Sequence, residues 1–229
     1  MTGNFIYPRH CPVCDEALRG NALICGECAN VPRMVARPRC MKCGKHIEAN
    51  DKLLCGDCKD QKRAFESGVA LFEYDSVKDS VNAFKNEGRR DYAEYFGTRM
   101  AEELGGIIKG YSPDVLVPVP LHRMKERKRG YNQAELLAKV ISKKLGIPVD
   151  STMICRVKSG KEQKKLSDDE RQNNLSGAFH MRQNDVKLSV VLVDDVYTTG
   201  STVDEVARTL LAGGVERVHF VTLAIGSGD

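Results

Sequence analysis

The chain has 229 residues, 41% of them hydrophobic, with 35 Lys and Arg against 31 Asp and Glu and a formal charge of +4. That length supports one sizeable core plus a smaller module. No apolar run is long enough to cross a bilayer, and Met1–His10 is too short and too polar for a signal peptide, so a soluble, cytoplasmic protein without membrane insertion is expected.

Cysteine dominates the N-terminal quarter. Eight of the nine cysteines form four CxxC pairs: Cys11/Cys14, Cys25/Cys28, Cys40/Cys43 and Cys55/Cys58, separated by 10, 11 and 11 residues. Each pair makes a knuckle that offers two sulfurs to one tetrahedral ion, so four knuckles predict two structural Zn²⁺ sites. A disulfide framework is the competing reading, and it needs an export signal that Met1–His10 does not provide. Sequential pairing, with Cys11, Cys14, Cys25 and Cys28 on one ion and Cys40, Cys43, Cys55 and Cys58 on the other, is the expected arrangement and makes a double zinc ribbon. Near-equal spacing also permits a cross-braced pairing of knuckles one with three and two with four. His10 and His46 lie beside knuckles, but complete Cys₄ sets leave them no ligand role. Residues 1–60 carry nine Lys/Arg and seven Asp/Glu. Eight thiolates and two Zn²⁺ bring the loaded module to about −2 and the whole chain to about zero, so net basicity is a poor argument for nucleic acid. The module reads as a partner-docking unit first and a DNA clamp second. The expected units are a zinc-binding module over 1–62 and a second domain over 63–229.

After a linker around Lys59–Glu66, Gly68–Tyr74 reads as a strand, and Ser76–Phe84 and Tyr92–Ile108 as helices separated by Glu87-Gly88-Arg89. Asp114–Pro118 is a short buried strand ended by Val119-Pro120. His122–Gly130 is a basic loop of net +4, carrying Arg123, Lys125, Arg127, Lys128 and Arg129 against Glu126. Asn132 and Glu135 form a capping box for a helix with an apolar stripe at Leu136, Leu137, Val140, Ile141 and Leu145. Residues 152–157 read as a strand in which Cys155 is a buried small hydrophobe. A second basic segment of net +4, Arg156–Lys165, opens a polar stretch to Gly177 that suits a hood over a ligand, with a capping box at Ser167–Glu170. A solvated basic surface is the plain alternative for each segment. Ala178–Met181 is a further strand.

The strongest signal follows. Val190–Val193 is an unbroken apolar run, as in a strand covered on both faces, and it ends in Asp194 and Asp195. Val196, Tyr197, Thr198, Thr199, Gly200, Ser201 and Thr202 lead into a helix with apolar positions at Val203, Val206, Ala207, Leu210 and Leu211. A turn opening a helix presents N–H groups and the positive end of the helix dipole to an anion. Four hydroxyls add donors, and Gly200 allows close approach. The carboxylates repel a phosphate but suit sugar hydroxyls or a bridging cation. A phosphate cradle beside a diol-binding acidic pair describes a phosphorylated ribose. With the last strand, Arg217–Ile225, the alternation of strands and helices makes an α/β domain with a mainly parallel sheet.

The 190–202 segment resembles the phosphoribosyl-diphosphate motif of type I phosphoribosyltransferases, with Tyr197 where an aliphatic residue is usual. The resemblance implies a type I phosphoribosyltransferase-like fold behind the double zinc ribbon. It also implies that Asp194 and Asp195 bind the ribose hydroxyls with Mg²⁺ nearby, and that Thr198–Thr202 bind the 5′-phosphate. Val117–Leu121 ends a strand at the same sheet edge, so the backbone of Val119, Pro120, Leu121 and His122 can face a pyrophosphate, with charge from Arg127 and Arg129. The run Val117–His122, Arg127, Arg129–Gln133, Gln163, Leu166, Arg171 and Asn174–Phe179 is similar to the ComF family, whose relatives include GntX-type proteins. That resemblance implies a competence role in DNA uptake: handling incoming single-stranded DNA with a helicase-like protein and other uptake proteins. Retained transfer of ribose phosphate to a nucleobase is the alternative, and a purely structural adaptor a third. Single-strand binding usually adds stacking aromatics to a basic groove; here there is no Trp, and Tyr131 alone lies in a basic segment. Tyr111, Phe72 and Tyr74 read as core or hairpin residues.

Overall fold

The structure, a computed structural model, describes residues 8–48, 53–157, 177–182 and 188–226. The hood expected from Lys158 to Gly177, with its capping box at Ser167–Glu170 and the residues Gln163, Leu166, Arg171 and Asn174, lies outside them except for Gly177.

The elements run α1 (Gly56–Asp60), β1 (Gly68–Glu73), α2 (Tyr74–Asn86), α3 (Tyr92–Gly110), β2 (Val115–Pro118), α4 (Arg123–Arg129), α5 (Gln133–Leu145), β3 (Ile154–Arg156), β4 (Phe179–Met181), β5 (Ser189–Tyr197), α6 (Ser201–Ala212) and β6 (Arg217–Ile225). Four strands form a parallel sheet in the order β1-β6-β5-β2. The apolar run of β5 is buried on both faces, as its composition requires. Val190 and Leu192 pack with Val203, Val206 and Leu210 of α6, whereas Val191 and Val193 pack with residues of α2, α3 and α5. β3 and β4 pair antiparallel as a separate two-stranded sheet, not as members of the main one.

Two local readings change. The basic segment after His122 is a helix, α4: the His122 ring caps it by accepting from the Met124 N–H at 3.3 Å, and Gly130 ends it at φ 80°. Cys155 is half-buried rather than enclosed, its thiol directed to the His180 carbonyl at 3.5 Å. Tyr131 is not a stacking platform. It is 7% exposed, donates to the Phe84 carbonyl, and carries the Arg90 guanidinium 4.7 Å over its ring.

The cysteines cluster sequentially, with Cys11, Cys14, Cys25 and Cys28 in one set and Cys40, Cys43, Cys55 and Cys58 in the other. Sulfur–sulfur separations are 3.7 and 3.8 Å in the first and 3.6 Å in the second. A tetrahedron with Zn–S arms of about 2.3 Å has edges of about 3.8 Å, so both sets fit Zn²⁺. The ribbons are joined to the sheet. Met34 bridges Phe72 antiparallel, Val35 N–H donates to Leu71 O, and Glu73 N–H to Arg33 O. This covers the outer edge of β1, which an isolated domain would expose. The first ribbon also meets the start of α3, where the Tyr92 hydroxyl donates to Asp15 at 2.7 Å and Arg89 pairs with the same carboxylate.

Candidate ribose-phosphate site

The site lies at the C-terminal edge of the parallel sheet, where open α/β folds gather ligands. β5 delivers Asp194 and Asp195 there, and α6 begins six residues beyond Asp195. Lys85, near the end of α2, sets its Nζ 2.8 Å from the Asp195 carboxylate. Arg129, at the end of α4, contacts Asn86 beside Lys85 and feels the Asp195 charge, while burial pushes its guanidinium down from its ordinary value. Arg156, at the end of β3, lies 5.3 Å over the Phe179 ring; burial lowers its pKa against the pull of Asp194. Burial, and then the neighbouring Asp195 charge, push Asp194 up to about 8, against an N–H from Asp195 and the charges of Lys85 and Arg156. Three cations from three different elements thus act on the acidic pair, with Lys85 in direct contact.

The turn between β5 and α6 has Gly200 at φ 77°, in the left-handed region. A side chain there would stand 2.2 Å from the Tyr197 hydroxyl, so glycine is required by both backbone and packing. Thr199 and Ser201 hydroxyls share a 2.9 Å hydrogen bond, and Thr198 is exposed. Tyr197 turns inward: it is 2% exposed, stacks on Phe220 at 4.9 Å, and holds its ring beneath the turn. Behind the turn, Arg63 donates to the Thr199 carbonyl at 2.7 Å, and the Ala64 N–H donates to Asp204 at 2.6 Å.

The 119–122 segment is tied to the start of α5 by Asn132, whose side chain donates to the Val119 carbonyl at 3.0 Å. Pro120, Leu121, Arg123, Arg156 and Arg182 line a cleft of about 110 Å³ between this segment and the β3–β4 hairpin. Arg127 is exposed on α4. Of the residues singled out from sequence, the acids, the 198–202 turn and Arg129 come together. Lys85 and Arg63 were not singled out: one reads as a helix cation and the other as linker, and only the tertiary fold brings them to the site.

Residues 3–59 match the double zinc ribbon domain family, and residues 98–228 match the phosphoribosyl transferase domain family. The chain is 32% identical over 219 residues to Competence protein F of Haemophilus influenzae, covering 90% of this chain and 94% of that one. It is 33% identical over 200 residues to DNA utilization protein YhgH of Salmonella typhimurium, covering 86% and 87%. Competence protein ComFC of Bacillus subtilis is 26% identical over 208 residues, with 86% and 81% covered.

Proposed function

This chain belongs to the Competence protein F family, with a double zinc ribbon ahead of a phosphoribosyl transferase domain, and we propose that it serves natural transformation through a site for phosphorylated ribose. The observation that carries this reading is the convergence of the Asp194–Asp195 pair, the hydroxyl-rich turn at the start of α6, and the cations Lys85, Arg129 and Arg156 at one sheet edge.

Phosphoribosyl diphosphate fits that arrangement. The 5′-phosphate takes the N–H groups and hydroxyls of 198–202, the ribose hydroxyls take Asp195 in place of Lys85, and the diphosphate lies toward Val119–His122. The two carboxylates suit Mg²⁺, which usually combines one or two carboxylates with phosphate oxygens and supplies charge neutralisation of the diphosphate. Lys85, displaced from Asp195, is within reach of the same negative charge. Incoming single-stranded DNA presents the same phosphate and sugar chemistry, and α4 offers it five basic side chains next to the site. With Tyr131 buried, that contact is electrostatic rather than stacking, so its affinity should fall steeply with salt. A helicase-like protein and other uptake proteins are the proposed partners, in the cytoplasm. Among the described residues, no helix is long and apolar enough to cross a membrane.

A second reading rests on the cleft beside Pro120 and Leu121. A base nitrogen reaching C1 of the bound ligand from the side opposite the diphosphate would attack it, and the C1–O bond would break. Pyrophosphate would leave with the electron pair, and the base would shed its N–H proton to water. Cations such as Arg123 and Arg156 would stabilise the departing charge.

Chromosomal Asp195→Asn separates the readings. Transformation frequency should fall while nucleotide pools remain unchanged. Altered pools together with base-dependent pyrophosphate release would favour the transferase. A silent substitution in a folded protein would leave only a structural adaptor.

A further inference from the structure

The linker that leaves the second ribbon is packed directly behind the 198–201 turn. Arg63 lies five residues after the zinc ligand Cys58 and is 7% exposed. One of its guanidinium nitrogens holds the Thr199 carbonyl at 2.7 Å, while its Nε has no hydrogen-bond partner among the described residues. Buried charges are normally paired. Among the described residues no carboxylate pairs with Arg63, so its positive charge is left behind a turn whose other side faces an anion site.

The next residues extend the connection. The Ala64 N–H donates to Asp204 in the first turn of α6, and Phe65, fully buried, meets Tyr197 edge-on at 6.4 Å and Phe220 at 4.9 Å. Tyr197 supports Gly200 from below. Cys40, Cys43 and Cys58 belong to the same buried cluster as Phe65, Tyr197 and Phe220, with Cys55 packed against it. The knuckle at Gly44, φ +78°, lies so close to the start of β1 that a side chain there would stand 2.9 Å from Gly68 O and Val69 Cα. Phe65, Tyr197 and the cysteines of the second zinc cluster therefore share one packed interior beneath the turn.

From this we infer that Arg63 is a positioning residue for the anion-binding turn, carried by the linker that leaves the zinc module, and that zinc in the Cys40/Cys43/Cys55/Cys58 cluster keeps it in place. The inference rests on the ribose-phosphate reading for its ligand, but the mechanical coupling stands apart from it. Ligated zinc fixes residues 55–58; the five-residue step to Arg63 then has little freedom, and the Thr199 carbonyl is held away from the ligand so that the turn's N–H groups face it. Without zinc the linker loosens, Arg63 leaves, and both the shape of the turn and a positive charge are lost.

Two readings test it on the full-length, zinc-loaded protein: amide hydrogen exchange at 198–202, and affinity for ribose 5-phosphate. In Arg63→Ala, zinc content should match wild type and the melting temperature should fall by only about 2–4 °C. Exchange at the turn should quicken by about tenfold and affinity should fall by a similar factor, the scale of one lost charge-assisted hydrogen bond. Arg63→Lys keeps the charge and a donor and should recover most of both. Wild-type protein stripped of zinc should exchange at the turn like Arg63→Ala. Unchanged exchange at the turn, in Arg63→Ala or on zinc removal, would overturn the inference. A turn that responds to Arg63 and zinc in a protein that never binds ribose 5-phosphate would sustain the coupling and remove the ribose-phosphate reading.

Discussion

Asp194 and Asp195 are neighbours in sequence, yet their surroundings differ: one is raised to about 8 by burial, and the other is ion-paired with Lys85 at 2.8 Å. A carboxyl whose folded pKa lies above its unfolded value binds protons more tightly when folded. Its contribution to stability is therefore present at low pH and is lost as pH rises from about 4 toward about 8. Between pH 6 and 8, where zinc ligation persists, the unfolding free energy from urea titrations should decline, and in Asp194→Asn the decline should be shallower. An identical slope in the two proteins would contradict the buried-acid assignment. Lys85→Met removes one of the two cations that lower the Asp194 pKa, so the Asp194 titration followed by NMR should move upward. The acids themselves were legible in sequence because they end an apolar run. Lys85 and Arg63 were not legible as site residues, because their proximity depends on how α2 and the linker before β1 pack and not on any local pattern.

At the scale of elements, the unit of β5, turn and α6 was readable from order alone: four apolar residues, two acids, hydroxyls around a glycine, then a helical stripe. The segment after His122 was misread because five basic residues resemble solvated loop. What makes it a helix is capping, with His122 at one end and Gly130 in the left-handed region at the other. Close packing of α3 on α5 was likewise invisible in sequence. A side chain at Gly97 would stand 2.6 Å from Val140 Cβ. Gly97→Ala, which in an exposed helix would stabilise by about 1 kcal/mol, should here destabilise by about 1–3 kcal/mol in chemical denaturation. A gain in stability would mean that the two helices are not locked at this crossing. Leu192→Ala, in the middle of β5 with no exposed surface, should cost about 2–5 kcal/mol.

For the whole molecule, the zinc module is part of the sheet's architecture rather than an appendage. Its first ribbon meets α3 through Asp15, its middle segment covers β1 through Met34 and Val35, and the linker after its second ribbon lies under the candidate site through Phe65 and Arg63. The four CxxC pairs made two Cys₄ sites legible, because thiol spacing is a local property. The sequential pairing that spacing favoured is the one the structure adopts, whereas closure of a sheet edge by the module follows only from tertiary packing. Chelating the zinc should therefore do more than unfold 60 residues. It should expose the edge of β1 and lower the melting temperature of the α/β domain, with concentration-dependent aggregation in light scattering. A domain that melts unchanged without zinc would contradict this integration.

The proposed function requires that the sheet edge bind phosphorylated ribose through Asp195 and the turn that opens α6. Calorimetric titration of zinc-loaded protein with phosphoribosyl diphosphate and Mg²⁺, in wild type and Asp195→Asn, tests it most directly. The expected result is saturable binding in the wild type that is weakened at least tenfold, about 1.4 kcal/mol, in a folded mutant. No binding by folded, zinc-loaded wild type, or equal binding by both proteins, would contradict it.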